Sequence, residues 1–489
     1  MYCGYVTTLK NVRPHSNADR MKLADCFGNT VCVGLDSAEG EIGIYFPVDG
    51  QLSVEFCQAH DLVRRKDKNG NAAGGYLDPD KRNIKAVKLR GEKSDGLFMP
   101  ISCLVFTGVN LDEINVGDTI TVVNGIEICR KYIPRGNRGR ASGGCGNRTR
   151  KHKDPVAPQF AEHADTEQLA YNLSAFKPGD EIEISLKMHG TSQRTGYLPK
   201  LVGYNDSWSC RVGNAFRHIL NKMGCYHGED KHDGEPVYDY GYVTGTRRVV
   251  LDDFDGGFYG SNEFREQHAK KFEGKLWKGE TVYYEVVGFT HTGQSIMDSC
   301  SNKKLNDKEF IKQYGEETVF SYGCIPDGVK FANAAAEQVA NKLNEYPNVT
   351  EKLLPRSDMY VYRMTCTTPD GNVVEYTPDF MRYRCELMGI KCVPVMWKGI
   401  IPDRPCVHDD ENKRFIDLTA GEWIKGVAEE SYDGPDPIGK THIREGVVVR
   451  IINRPKFTAY KHKNFAFKVL EGIIKDTAAA PDIEEAQEV

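Results

Sequence analysis

Lys187 closes an alternating segment, DEIEISLK (180–187), and opens the run LKMHGTS. A lysine amine attacks phosphorus only when it is neutral part of the time, against a free pKa of ~10.4. Nearby cations and partial desolvation lower that value. Gly190, three residues on, carries no Cβ and lets the backbone approach a phosphate or sugar closely. Further charged groups follow in order. Glu285 lies in an aromatic run, VYYEVVG, Glu445 begins EGVVVR, and Lys461 and Lys463 alternate in YKHKN. Alternation along a strand turns both lysines to one face, where two positive charges can hold a phosphate. Mg²⁺ takes few protein oxygens and keeps several waters, so a strand-end carboxylate such as Glu445 suits it. Taken singly, each residue also fits a plain role: a solvated lysine, an ordinary strand-end acid, a solvated strand face.

A second phosphate-binding pattern is present by letter. Residues 434–441 read GPDPIGKT and match GxxxxGK[ST]. A working loop of this kind leaves a strand and opens a helix, so that backbone N–H groups face the phosphates. Here the order is reversed. The preceding GEWIKGVAEESYD reads as helix, and the following HIREGVVVR is β-branched and strand-like. Pro435 and Pro437 remove two N–H donors. Lys440 is therefore read as a loop residue without a phosphate role.

The elements that must position these groups divide the chain. Residues 1–129 hold short β-rich runs separated by turn residues: VCVGL (31–35), EIGIYFPV (41–48), IKAVKL (84–89) and TITVV (119–123). They predict a small β-barrel or sandwich. From about 156 strands and helices mix, and the fold class is α+β. In DEIEISLK, Ile182, Ile184 and Leu186 share one face, and Glu181, Glu183 and Ser185 the other. ETVYYEVVGF (280–289) and IREGVVVRII (443–452) read as further strands, and NAAAEQVANKL (333–343) as a helix. Residues 476–489 read as a disordered acidic tail.

The 489 residues carry a formal net charge of −5, and the charge is uneven. Residues 130–155, KYIPRGNRGRASGGCGNRTRKHK and its flanks, concentrate Lys and Arg among Gly, Pro, Ser and Asn. Such a composition cannot pack a core and reads as a linker, either tracking a phosphate backbone or merely solvated. No apolar run reaches the ~18–20 residues of a membrane span. The N-terminus, MYCGYVTTLK, lacks the apolar core of a signal peptide, which predicts a cytoplasmic protein. The 15 cysteines form no CxxC and read as small buried hydrophobes in a reducing compartment.

The ordered set KxHG, an acid in an aromatic strand, EGVVVR and KxK resembles the covalent nucleotidyltransferase superfamily of polynucleotide ligases and RNA capping enzymes. KMHGTS and YKHKN look most like ATP-dependent RNA ligases. NVRPHSNADRMKLADC, EIGIYFPVDGQL and KLRGEKSDGLFMP are similar to the N-terminal OB-like domain of one branch of those ligases, as are YVYRMTCTTPDG (360–371) and CVPVMWKG (392–399). The resemblance implies an OB-like β-barrel (1–129), the basic linker (130–155) and an ATP-grasp-like adenylyltransferase domain on antiparallel sheets (156–475). Stretches near 205–240 and 295–350 read as insertions.

It also implies the chemistry. ATP and Mg²⁺ (or Mn²⁺) are the cofactors, and RNA ends or a nicked RNA-containing duplex the partner, with no membrane and no protein partner implied. Lys187 becomes lysyl-AMP. Leu186, Gly190, Arg247, Tyr283, Glu285, Lys461 and Lys463 contact the nucleotide, and Glu445 faces the metal. Tyr283 is the candidate for stacking on adenine or, equally, a core tyrosine; Glu285 faces ribose or metal. Arg247, in VTGTRRVV, resembles the arginine of the family's next motif and would hold a phosphate bidentately. His189 reads as a packing or hydrogen-bonding residue rather than a base. Two other readings stand beside this one: a GTP-dependent capping enzyme, and a non-enzymatic RNA-binding protein. Every residue assigned to adenylylation lies after 180, which assigns the front domain and linker to the nucleic-acid steps.

Overall fold

A computed structural model describes residues 2–66, 72–133, 155–163, 166–224, 230–247, 249–251, 254, 262–327, 355–409 and 413–477. Most of the basic linker, the helix expected at 333–343 and the acidic tail from 478 lie outside the described residues.

The front of the chain is β-rich, as its turn-punctuated runs require. Its strands include β1 (Gly4–Thr8), β2 (Lys10–Pro14), β3 (Lys22–Cys26), β4 (Asn29–Val33), β5 (Ile42–Phe46), β6 (Leu97–Pro100) and β7 (Thr119–Ile120). They form a four-stranded sheet, β6-β5-β1-β7, and a three-stranded sheet, β2-β3-β4. These two sheets are antiparallel, with two-stranded pairs beside them, and among the described residues no closed hydrogen-bonded barrel of the expected OB-like kind forms. Asn11 takes a left-handed φ of 53°, and the β2–β3 register shifts between Lys10 and Arg13. The chain thus leaves one sheet for the other within three residues. Val6, Ile44, Phe46, Leu52 and Phe56 fill one core, and Leu9, Ala24, Val31, Tyr45 and Phe98 a second. Tyr171, from beyond the linker, joins the second core and stacks on Tyr5 with ring centroids 4.5 Å apart.

The remainder is mixed α and β on two antiparallel sheets. In chain order come β8 (Glu167–Gln168), β9 (Glu181–Leu186), β10 (Thr191–Tyr204), α1 (Trp208–Lys222), β11 (Pro236–Gly245), β12 (Val250–Leu251) and β13 (Glu280–Gly288). β14 (Ser357–Thr367), β15 (Val373–Glu375), α2 (Pro378–Met388), β16 (Val395–Ile400), α3 (Ala420–Ser431), β17 (Gly446–Ile451), β18 (Thr458–Lys463) and α4 (Phe465–Thr477) follow. One sheet runs β8-β18-β17-β9-β16, the other β12-β11-β10-β13-β14-β15. Only β8, at an edge, pairs in parallel within these two sheets. The insertion expected near 205–240 includes α1, carried between β10 and β11.

Ile182, Ile184 and Leu186 are buried, as the alternation predicts. Glu183, expected on the polar face, is buried too. Arg382 of α2 grips its carboxylate at 2.6 and 3.0 Å. A helix covers that face as well, and a buried carboxylate persists there only when paired.

Buried imidazoles give the fold an acid-side weakness. His268 Nε2 lies 3.0 Å from Ser357 Oγ, and burial, with the Lys271 charge, pushes the imidazole down to about 3. His163 is likewise down to about 3 through burial and the charges of Arg363, Arg247 and Arg194. The unfolded imidazole binds its proton near ~6.5, well before the native one. The neutral form therefore contributes fully above that pH, and the contribution falls as pH drops toward the folded value. His268, fully buried, is expected to cost about 2 kcal/mol of stability between pH 6.5 and 5, and the partly exposed His163 less. Urea unfolding at pH 7.5 and 5.0 checks this, and His268→Gln should lose less stability between the two.

Candidate active site

The first sheet brings the candidate residues together through register. β9 runs antiparallel to β17 with Leu186 opposite Val447, and β17 runs antiparallel to β18 with Gly446 opposite Lys463. The end of β9, the start of β17 and the end of β18 therefore meet at one edge of the sheet. The Lys187 N–H donates to Gly446 O at 3.0 Å. Gly446 has φ 147°, and a Cβ there would fall on His462 O and 2.8 Å from Lys463 Cα. The glycine of EGVVVR is required by this close crossing.

Lys187 Nζ lies 2.8 Å from Glu445 Oε1, and Lys463 Nζ lies 3.5 Å from the same oxygen. Lys187 is about a quarter exposed at its side chain, while Glu445 is buried. Burial pushes the Glu445 carboxyl up, but the Lys187 and Lys463 charges more than reverse it and hold it at about 2. Glu445 is thus an anion at neutral pH. His189 Nδ1 stands 3.5 Å from Glu445 Oε2. Its ring meets Phe320 and Phe467 edge-on at 4.5 and 4.9 Å, and its backbone N–H donates to Tyr322 Oη at 2.6 Å. This is the packing role expected of it.

Glu445 Oε2 is buried and accepts no hydrogen bond from a described residue. A buried carboxylate oxygen whose nearest described partner is His189 Nδ1, at 3.5 Å, fits a divalent cation, which binds through one or two carboxylates plus substrate phosphates. Glu445 would hold it, and the cation would supply positive charge beside Lys187.

The other expected contacts divide. Glu285 is half-buried in β13, opposite Ser192 in the ladder, and its Cγ lies 2.9 Å from where a Gly190 Cβ would stand. It therefore borders the lysine turn. Lys461 stands two residues before Lys463 in β18, opposite Val448. Leu186 is buried in the core beside Met188. Arg247 follows β11 and stands near His163, with Arg194 and Arg363. Tyr283 is wholly buried: its hydroxyl donates to Ala161 O at 3.0 Å and the Arg363 guanidinium lies 4.7 Å over its ring. In this structure Tyr283 has a core tyrosine's surroundings.

Reasoning from sequence missed Tyr322, which braces the lysine turn, and Tyr362, whose hydroxyl is 3.0 Å from Ser192 Oγ. It also missed Glu471, whose carboxylate binds Lys463 Nζ at 2.7 and 2.8 Å. Tyr362 lies in the quoted run YVYRMTC, an aromatic strand adjacent to β13, which was its available signal.

Residues 434–441 lie between α3 and β17, in the helix-then-strand order expected. The buried Asp436 carboxylate accepts the N–H groups of Ile438, Gly439 and Lys440 at 3.1, 2.5 and 3.2 Å. Amides already spent on a carboxylate cannot cradle a phosphate. Lys440→Ala is expected to form covalent nucleotide within about twofold of wild type, the range of a surface change. A loss as deep as that of a Lys187 variant, in the same labelling assay, would overturn this.

No protein-family model and no curated protein matches the chain. Its fold is similar to solved structures of the Naegleria gruberi RNA ligase. A lysine-to-methionine variant with AMP and Mn superposes at TM-score 0.50 and 14% identity, over 95% of this chain and 97% of that one. The same ligase with PPi gives 0.49 and 14%, over 95% and 97%. An arginine-to-alanine variant with ATP and Mn gives 0.49 and 15%, over 96% and 99%. At this identity the likeness is one of fold.

Proposed function

We propose that this chain, built on the fold of an RNA ligase, is an ATP-dependent RNA ligase that joins 5′-phosphate and 3′-OH ends through a covalent lysyl-AMP. The observation that carries the reading is the Lys187–Glu445–Lys463 cluster at the meeting of three strand ends. The Lys187 amine attacks the ATP α-phosphorus. A P–N bond forms, the bond to the bridging oxygen breaks, and pyrophosphate leaves. AMP then passes from Lys187 to an RNA 5′-phosphate, and a 3′-OH displaces AMP to form the phosphodiester. Lys463, with Lys461 on the same strand face, steadies charge on the α-phosphate. Glu445 holds both lysines until nucleotide arrives. Before attack the Lys187 ammonium gives its proton to water, which reaches its partly exposed side chain.

Glu285 and the close backbone at Gly190 shape the nucleotide site, and Arg247 contacts phosphate from the far end of β11. Residues 1–129 form the OB-like module in this reading, and the basic linker, mostly outside the described residues, adds a salt-dependent grip on RNA. No described helix is long and apolar enough to cross a membrane. Incubation with α-labelled ATP or GTP, denaturing electrophoresis, and then a nicked 5′-phosphate RNA tests the reading. Label from ATP and a joined product are expected. Label from GTP alone indicates a capping-type enzyme, and no covalent label indicates an RNA-binding protein.

A further inference from the structure

The Lys187 cluster does not end at Lys463. Lys463 Nζ sits 2.7 Å from Glu471 Oε2 on α4, and Glu471 Oε1 is 3.5 Å from Lys475 Nζ one turn on. Lys475 Nζ reaches Asp49 Oδ1 of the front domain at 3.1 Å. Alternating charges therefore run unbroken from the front domain to Lys187. A second contact is parallel to it: Lys468 Nζ of α4 lies 2.5 Å from Asp95 Oδ2 in the front domain. Lys468, Glu471 and Lys475 recur at helical spacing and share one face of α4. Phe467 and Leu470, fully buried, turn into the core that holds Leu186 and Met188 on either side of Lys187. The helix is anchored at its start, where Asn464 Oδ1 accepts the Phe467 N–H at 2.7 Å and the Asn464 N–H donates to Glu445 O at 3.0 Å. One short helix thus packs against the nucleophile's strand, the carboxylate's backbone and the front domain.

We propose that Glu471 is a positioning residue for Lys463, and that the front domain, through Asp49 and Asp95, holds the helix that carries it. This rests on the ligase reading, in which Lys463 steadies the α-phosphate. Lys463 is mostly buried at the end of β18, and its long side chain could take several rotamers. The Glu471 carboxylate meets the ammonium with both oxygens and leaves one of them. Glu445 alone, at 3.5 Å, gives looser control. The charges agree: burial pushes the Glu471 carboxyl up, and Lys463 and Lys475 drive it well below its usual range. Burial lowers Lys463, and Glu471, Glu445 and then Asp49 raise it further than that. The assignment of the front domain to RNA steps alone, drawn from chain order, is revised accordingly. The same domain also orders a group used in the first step.

The test is single-turnover lysyl-AMP formation by the full chain over a range of ATP concentrations. Glu471→Gln is expected to slow the rate roughly ten- to hundredfold with half-saturating ATP little changed, since a mispositioned charge is felt in the transition state. Glu471→Asp, which keeps the charge, should recover part of that rate. It also carries the test if the glutamine variant melts at a lower temperature. In a Lys463→Ala background, Glu471→Gln should add no further loss, which a merely structural role would not produce. Asp49→Asn should slow the rate less, and add nothing to Glu471→Gln. Wild-type rate in Glu471→Gln, or losses that multiply with Lys463→Ala, overturns the positioning role. Losses that multiply between Asp49→Asn and Glu471→Gln overturn the link to the front domain. Wild-type chain that takes no label from ATP is a different failure, that of the ligase reading itself.

Discussion

Lys187→Ala is expected to abolish the covalent nucleotide entirely. Lys463 is poorly placed to replace it. Lys463 points its ammonium at two carboxylates, 2.7 Å from Glu471 and 3.5 Å from Glu445, and is largely buried. Lys187 is the more exposed of the two and makes one close ion pair, at 2.8 Å. An alanine also leaves Glu445 with one cation fewer, so the carboxyl should titrate at a higher pH than in wild type. Peptide mass spectrometry after incubation with ATP checks the first point. AMP on any other lysine would sink the assignment. Sealing of RNA whose 5′ end is already adenylylated separates the steps, because that reaction bypasses the attack on ATP. The alanine variant should retain measurable sealing there while forming no adduct.

Gly190→Ala is expected to damage the site almost as severely, for a steric reason. The Gly190 backbone has no left-handed requirement, so conformational freedom is not the issue. A Cβ would fall on the backbone oxygen of Val286, 2.8 Å from Val287 Cγ1 and 2.9 Å from Glu285 Cγ. Neither a strand carbonyl nor its ladder can give way cheaply. The turn from Lys187 to Thr191 must then move, carrying Lys187 with it. Misplacement of this kind costs on the order of a hundredfold in rate, and overpacking adds roughly 1–3 kcal/mol of lost stability. Adduct formation at saturating ATP, with a urea melt on the same sample, measures both. A variant that labels at the wild-type rate would show that the turn has slack.

Local pattern was enough to find the strands and to order the charged groups along the chain. β9, β13 and β17 lie where period-2 alternation and β-branched runs put them. The capping box Thr419–Glu422 opens α3, the helix expected before the Walker-like letters. Lys187, Glu445 and Lys463 were singled out by the order of their motifs along the chain and the resemblance that order carries, since each residue alone also fits a plain role.

Partnership was decided only by tertiary structure. That the chain passes from the sheet of β1 to that of β2 at a left-handed Asn11, with a shift in register, was not written in the local pattern. Glu183 reads as a solvent-facing acid until Arg382, far along the chain, covers it. Tyr283 and Glu285 alternate on one strand, yet Arg363 closes over the tyrosine ring and the glutamate borders the lysine turn. Glu471 looks like any acid on an amphipathic helix until α4 is laid between Lys463 and Asp49. The physical reason is common to all four. A residue's face and element follow from its immediate neighbours. Its desolvation and its counter-charge come from segments brought alongside by strand register and helix docking.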